Sequence, residues 1–341
     1  MKRLITAFIL IVFTSAVTLA SPNCEPSITE NGFLGMWTFD IEGGGVGWLH
    51  VHEKQGFLDA ELLWIGGSVL PISNIYMLDK DNLVITRTHE RLMGENKTGK
   101  KRKHLITFTL RIKKVGEQLV GVMTGPRREG IGESSSAFTG KRLPPIPKRP
   151  NLSKAKYGKS IQLFNGKNLN GWQLIGSEKA NGFKVVDGQL INNPIQPKEG
   201  EHLRYGNLRT EQEFKDFNLK LEVNVPKGDN SGIYLRGLYE IQVVDSYGKE
   251  LDSHNMGALF SRITPSIAAE KPAGSWQTLD ITLIDRHVTV IFNGIKIIDN
   301  QAVYGPTGGA ISSDVSAPGP IYLQGDHGNV AYRNIVLTPI L

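Results

Sequence analysis

The segment from Asn230 to Asp245 most constrains what this chain can fold into, because its apolar residues alternate with polar ones that are poor choices for mere solvation. It reads as one long strand. Side chains on a strand point to opposite faces with a period of two, so Ile233, Leu235, Ile241 and Val243 share one face and Tyr234, Arg236, Glu240 and Gln242 share the other. The first face reads as core. A solvated face usually carries Lys, Thr and Ser, whereas Arg, Glu, Gln and Tyr together are groups that bind and act on a polyhydroxylated ligand. Half-buried antiparallel sheets also alternate in this way, so a structural reading of the second face stands beside the functional one.

Residues Met1 to Ala20 carry Lys2 and Arg3, an apolar run from Leu4 to Val17 and the small-residue close Thr18-Leu19-Ala20, the pattern of a secretory signal peptide. The run is too short for a good spanning helix and nothing later approaches the ~20 apolar residues a span needs, so no transmembrane segment is expected and the mature chain should be secreted or periplasmic. Cys24 is the only cysteine, which excludes an intrachain disulfide. As a lipid anchor it is poorly preceded by Pro22 and Asn23, and anchoring is the lesser alternative. The formal net charge of +6 invites a nucleic-acid reading. Its location argues against one: the leader and the acid-free segment 141–160 hold enough bases that the remainder is slightly acidic. A nucleic-acid face would need bases interleaved with aromatics on one surface.

Leu143-Pro144-Pro145-Ile146-Pro147-Lys148-Arg149-Pro150 is the clearest boundary, since its prolines lack amide donors and hold an extended backbone. The expected organisation is a signal peptide at 1–20, a small N-terminal β domain at 31–142, a Pro-rich basic linker at 143–160 and a larger β domain at 161–341. Seven short alternating runs between Gly35 and Gly140 predict a small β-barrel or β-sandwich. Trp37, Trp48 and Trp64 there are read as core in preference to a sugar-stacking platform. Beyond the linker, further strand-like runs predict a two-sheet jelly roll with almost no helix, and Asp187-Gly188 and Asn293-Gly294 mark hairpin tips. The fold class is therefore all-β throughout.

Glu222 lies opposite the apolar set of its strand, and Tyr322 and Gln324 lie opposite Ile321 and Leu323, with Asp326, His327 and Gly328 in the turn that follows. If these strands share a sheet, Glu222, Arg236, Glu240, Gln242, Gln324 and His327 would line one concave surface. A salt-bridged surface role for Glu222 and a plain turn role for His327 are the competing structural readings, although a histidine beside Asp326 is a natural titrating group near neutral pH.

Leu163-Phe164-Asn165-Gly166-Lys167-Asn168-Leu169-Asn170-Gly171-Trp172, the segment Asn230 to Asp245, Trp276-Gln277, Asn293-Gly294, and Gly319 to Gly328 followed by Arg333-Asn334-Ile335 resemble, in that order, the 3-keto-disaccharide hydrolase domain family. The resemblance covers about 161–340. It implies a concanavalin-like jelly roll acting outside the cytoplasm on glycosides whose C3 hydroxyl has been oxidised to a ketone, by elimination or net hydrolysis. It also implies an upstream sugar 3-oxidoreductase as a functional partner. One departure is the spacing Gln324-Gly325-Asp326-His327-Gly328, where the family pattern brings His-Gly closer to the glutamine.

A C3 ketone acidifies the C2 hydrogen, so the site needs a base, an enolate stabiliser and an acid for the leaving oxygen. Glu240, Arg236 and His327 are the respective candidates, with Gln242, Gln324, Glu222, Tyr234 and Asp245 as substrate-binding candidates. Asp245, Glu240 and His327 are alternatively a donor set for a divalent cation, although no tight ligand spacing is present. Two rival readings stay open: a non-catalytic carbohydrate-binding or cell-envelope protein on the same fold, and a conventional glycosidase using Glu222 and Glu240 as paired carboxylates.

Overall fold

Burying an alternating strand pattern requires a second apolar layer, and the chain solves this twice. The computed structural model describes residues 32–94, 98–127, 131–176, 178–198 and 200–341; the leader and Cys24 lie outside the described residues. In the first unit, β1 (Gly35–Ile41), β2 (Val46–Lys54), β3 (Phe57–Trp64), β4 (Leu70–Pro71), β5 (Asn74–Asp79), β6 (Asn82–Met93), β7 (Arg102–Val115), β8 (Gln118–Pro126) and β9 (Glu133–Arg142) form one sheet. Its order is β4-β3-β2-β1-β9-β8-β7-β6-β5. Consecutive β4 and β5 pair with β3 and β6 respectively, so one stretch of chain joins the two ends of the sheet and curls it into a barrel. All seven expected strands form. The additional pair, β4 and β5, is short or largely exposed and leaves little periodic signal.

The barrel interior holds Trp37, Phe39, Leu49, Val51, Leu62 and Phe138, with Trp64 packed against them. Trp48 alternates to the outside, where it meets Leu63, Leu143 and Val315. Its indole N–H donates to the Tyr304 carbonyl at 3.1 Å, so this tryptophan wedges the barrel against the C-terminal unit. The proline-rich segment is docked as well: Arg286 Nη1 donates to the Pro144 carbonyl at 2.8 Å and Asn300 Nδ2 to the Pro150 carbonyl at 2.9 Å.

The C-terminal strands are β10 (Ile161–Gln162), β11 (Trp172–Ile175), β12 (Phe183–Val186), β13 (Gln189–Asn192), β14 (Asn207–Thr210), β15 (Phe217–Asn224), β16 (Asn230–Leu235), β17 (Tyr239–Val244), β18 (Trp276–Ile284), β19 (His287–Phe292), β20 (Ile295–Ala302), β21 (Tyr322–Leu323) and β22 (Val330–Pro339). One sheet runs β12-β13-β22-β15-β18-β19-β20, with β10 also on β22; the other runs β11-β14-β21-β16-β17. Both are antiparallel, and they form a jelly-roll sandwich. Leu219, Leu221 and Val223 of the first sheet and Ile233, Ile241 and Val243 of the second belong to one buried core. The open edge at β17 is covered by the loop that follows it, with Gln242 N–H donating to the Ala258 carbonyl and Phe260 N–H to the Glu240 carbonyl. Among the described residues, no helix is long and apolar enough to cross a membrane.

Trp48 is 1% exposed at the junction of the two units. Trp48→Ala should cost about 3–5 kcal/mol, and a calorimetric scan should resolve barrel and sandwich as separate transitions where the parent shows coupled unfolding.

Candidate functional site

Asn230 to Asp245 is a hairpin and not one long strand: β16 and β17 pair Tyr234 with Glu240 and Gly232 with Gln242. Arg236 and Gly237 both take positive φ, and Leu238 N–H donates to the Leu235 carbonyl, which is a type I′ turn. The expected faces survive this correction. Cross-strand partners share a face, and in this register even-numbered residues meet even-numbered ones. Tyr234, Glu240 and Gln242 therefore still project together from the outer face of the five-stranded sheet.

The carboxyl of Glu240 is the centre of that face. It is buried, and the Tyr234 hydroxyl lies 2.9 Å from its Oε2. The same hydroxyl donates to the Gly308 carbonyl at 2.7 Å. A phenol has one proton, so a neutral Glu240 can donate to Tyr234 while Tyr234 serves Gly308, whereas an ionised Glu240 competes for the phenolic proton. Tyr322 stacks on Tyr234 with ring centroids 3.8 Å apart and donates to the Gly309 carbonyl at 2.6 Å. Gly232 makes room for the acid, because a Cβ at that position would lie 2.3 Å from Glu240 Oε1. Burial raises the Glu240 pKa to about 8, and the Tyr234 hydrogen bond and the nearby charge of His327 offset only part of that rise.

His327 supplies the second titrating group. Its Nδ1 lies 2.6 Å from Asp326 Oδ1, and the ring is half-exposed. The hydrogen bond to Asp326 raises its pKa, burial opposes this, and the charges of Asp326 and Glu240 raise it further. Asn192 holds the turn by donating to the Gly325 and Gly328 carbonyls, and the Gln324 backbone is tied to β16 through Gly232 and Ser231. The extra spacing before His327 is thus absorbed in a turn pinned at both ends. Gln242 is buried, and its Oε1 accepts from the Val243 N–H at 3.2 Å, which directs its amide nitrogen away from that backbone.

Three expected members stand elsewhere. Arg236, in the hairpin turn, spends its guanidinium on the carbonyls of Val315 and Ala317, and it lines a separate cavity with Asp216 and Arg286. A turn residue leaves the pleat, so the period-two argument does not reach it. Glu222 sits on β15 in the other sheet, where Arg333 donates to it at 2.9 and 2.6 Å and Asn334 at 2.6 Å. Its partial burial would raise the pKa, but these hydrogen bonds and the Arg333 charge hold it below the ordinary carboxylate range. Glu222 and Glu240 project from the two outer faces of the sandwich, with both sheets between them, so they are not a paired-carboxylate site. Asp245 accepts from the Gly228 N–H at 2.9 Å in a loop, and among the described residues no three His, Cys, Asp or Glu side chains gather as a metal site.

The loop 304–309 is what sequence reasoning missed. Its carbonyls receive both tyrosine hydroxyls, and Thr307 Oγ1 accepts from the Glu240 N–H at 2.9 Å. The barrel clamps it from behind: Gly309 N–H donates to the Ile65 carbonyl at 2.9 Å, and a Cβ on Gly308 would lie 2.2 Å from the Gly67 carbonyl oxygen. Pro306-Thr307-Gly308-Gly309 reads as an ordinary turn cluster, with no signal of what it supports.

A family model described as the 3-keto-alpha-glucoside-1,2-lyase-like domain matches residues 159–338. A curated relative from Bacteroides thetaiotaomicron, named 3-keto-disaccharide hydrolase, is 34% identical over 91 residues, which is 26% of this chain; the chain matches about 30% of that relative's length. Among solved structures, a candidate glycosyl hydrolase from Parabacteroides distasonis ATCC 8503 is 28% identical, covering 58% of this chain and 93% of its own with a TM-score of 0.42. A laminarinase from Flavobacterium sp. UMI-01 is 14% identical, covering 55% of this chain and 100% of its own with a TM-score of 0.34.

Glu240 binds its proton more tightly folded than unfolded, so its contribution to stability is complete below pH 4.5 and is lost as the pH rises to about 8. The melting temperature of Glu240→Gln should therefore gain on that of the parent by several degrees between pH 4.5 and 8.5, measured by calorimetry. Glu222→Gln, by contrast, removes a partly exposed pair and should cost no more than about 1 kcal/mol in denaturant titration.

Proposed function

The chain belongs to the 3-keto-alpha-glucoside-1,2-lyase-like family through residues 159–338, and from that membership we propose that it is an extracytoplasmic enzyme that cleaves 3-keto glycosides by abstracting the C2 proton. The observation that carries this reading is a buried carboxyl group with a pKa of about 8, cradled by Tyr234 and electrostatically linked to His327. A base of that strength suits a carbon acid, since proton transfer is most effective when the catalytic pKa lies near the working pH.

In this reading the Glu240 carboxylate takes the C2 proton, and the electron pair of the C–H bond moves into an enolate on the C3 oxygen. Collapse of the enolate forms the C1–C2 double bond as the C1–O bond breaks with its electrons on the leaving oxygen. His327, whose pKa is raised by its hydrogen bond to Asp326, gives that oxygen its proton. The product is a 1,2-unsaturated 3-ketone; water added across the double bond, hydroxyl to C1 and proton to C2, completes a net hydrolysis. With Arg236 engaged at Val315 and Ala317, the amide donors of Gln242 and Gln324 are the groups assigned to the C3 oxygen and neighbouring hydroxyls. In this reading an upstream sugar 3-oxidoreductase supplies the ketone.

Turnover of a 3-keto glycoside should rise with pH through about 8, as Glu240 loses its proton. Glu240→Gln should lose roughly 100- to 10,000-fold in kcat and lose that ascending limb; a folded variant with unchanged turnover rejects the assignment. Gly232→Ala, which displaces the carboxyl and leaves its chemistry intact, should cost about 100-fold. The unoxidised parent glycoside should be inert, and its cleavage would favour conventional glycoside hydrolysis.

A further inference from the structure

Between the outer face of the barrel and the C-terminal sandwich lies a cavity of about 500 Å³, a size that admits sugar-like ligands. The barrel contributes Trp48, His50 and Glu61, the last two facing each other across β2 and β3. The sandwich side contributes Arg262, Gln301 and Tyr304. The guanidinium of Arg262 is held in one orientation: Nε and Nη2 donate to the Pro306 carbonyl at 2.9 and 2.5 Å, and its central carbon lies 4.2 Å from the Trp48 ring centre. Glu61 is near enough to act on Arg262 electrostatically, yet among the described residues the two do not reach ion-pair distance. Both line the cavity, where a ligand hydroxyl can accept from the guanidinium and another can donate to the carboxylate.

We propose that this interdomain cavity is a second saccharide-binding site, taking a neutral polyhydroxylated ligand between Arg262 and Glu61 with Tyr304 as its stacking surface. The Tyr304 residue is 52% exposed, as a platform must be. The charges select against other ligands. An anion drawn to Arg262 meets Glu61, and a cation drawn to Glu61 meets Arg262. His50 adds no charge near neutral pH, because burial and the adjacent His52 hold its pKa below the ordinary value. Planar donors and acceptors, an exposed aromatic ring and a balanced charge are the recognition chemistry of a sugar and not of a phosphate or nucleic acid. The site shares no side chain with the Glu240 face, so it stands or falls independently of the reaction proposed above.

The test is calorimetric titration of the full chain with cellotetraose and maltotetraose, neither of which carries a 3-keto group. At least one should bind saturably, Tyr304→Ala and Glu61→Gln should each weaken that binding by about tenfold or more, and Glu240→Gln should leave it within about twofold. Both cavity substitutions are at exposed side chains, and Glu61→Gln, on β3 and outside the loop 304–309, should retain turnover of a 3-keto glycoside, which checks that the fold is intact. Absence of saturable binding by either sugar, binding that survives both cavity substitutions, or binding lost in Glu240→Gln overturns the proposal.

Discussion

A carboxyl group taken out of water must be neutral or must be held by donors, and in this protein that requirement organises the outer face of the smaller sheet. Glu240 has the Tyr234 hydroxyl at its Oε2 and the empty side of Gly232 at its Oε1. Tyr234 is in turn stacked on Tyr322, and both phenols end on carbonyls of one loop. The polar chain therefore runs from the carboxyl through the Tyr234 hydroxyl into the Gly308 carbonyl, with Tyr322 stacked alongside and bonded to the next carbonyl. Removing Tyr234 would leave Glu240 Oε2 and the Gly308 carbonyl without that hydrogen bond, which is why such networks hold their geometry tightly.

That loop gives the barrel a structural part in the site. Carbonyls can receive the tyrosine hydroxyls only if their own segment stays in place, and 304–309 has no regular secondary structure to hold it. Trp48, Ile65 and Gly67 supply the restraint through a hydrogen bond to Tyr304, a hydrogen bond from Gly309 and a close backbone approach to Gly308. The docked proline-rich segment keeps the two units in that relation, since Pro144 and Pro150 are both bonded to side chains of the sandwich. A run of prolines that marks a boundary in sequence acts here as a bound strap.

Much of the fold was legible because strand periodicity is a local property. Seven of the nine barrel strands announce themselves by alternation, and the hairpin tips at Asp187-Gly188 and Asn293-Gly294 take the positive φ that Asp and Asn tolerate and Gly prefers. At Arg236-Gly237 only the glycine carried that signal, since Arg lacks the tolerance of Asp and Asn for positive φ, and the apolar residues on either side hid the turn. The error displaced one residue and spared the rest: Arg236 left the face, while Tyr234, Glu240 and Gln242 kept it. Glu222 was misplaced for a different reason. Its strand alternates as clearly as β16 does, but alternation says only that a residue faces away from the core, not which of two sheets carries it.

By itself, the sequence determined an all-β chain with a proline-marked boundary and ordered motifs of a sugar-acting family, and it put Tyr234, Glu240 and Gln242 on one face. These follow from short-range rules: side-chain period, turn chemistry and the missing amide of proline. Only the tertiary structure decided that Glu222 stands two sheets away, that Arg236 is an anchor of backbone carbonyls, that Tyr322 stacks on Tyr234, and that a loop clamped by the barrel receives both phenols. Those facts depend on strand order and on contacts between residues far apart in the chain, such as Trp48 with Tyr304, and no local pattern encodes which distant surfaces will meet.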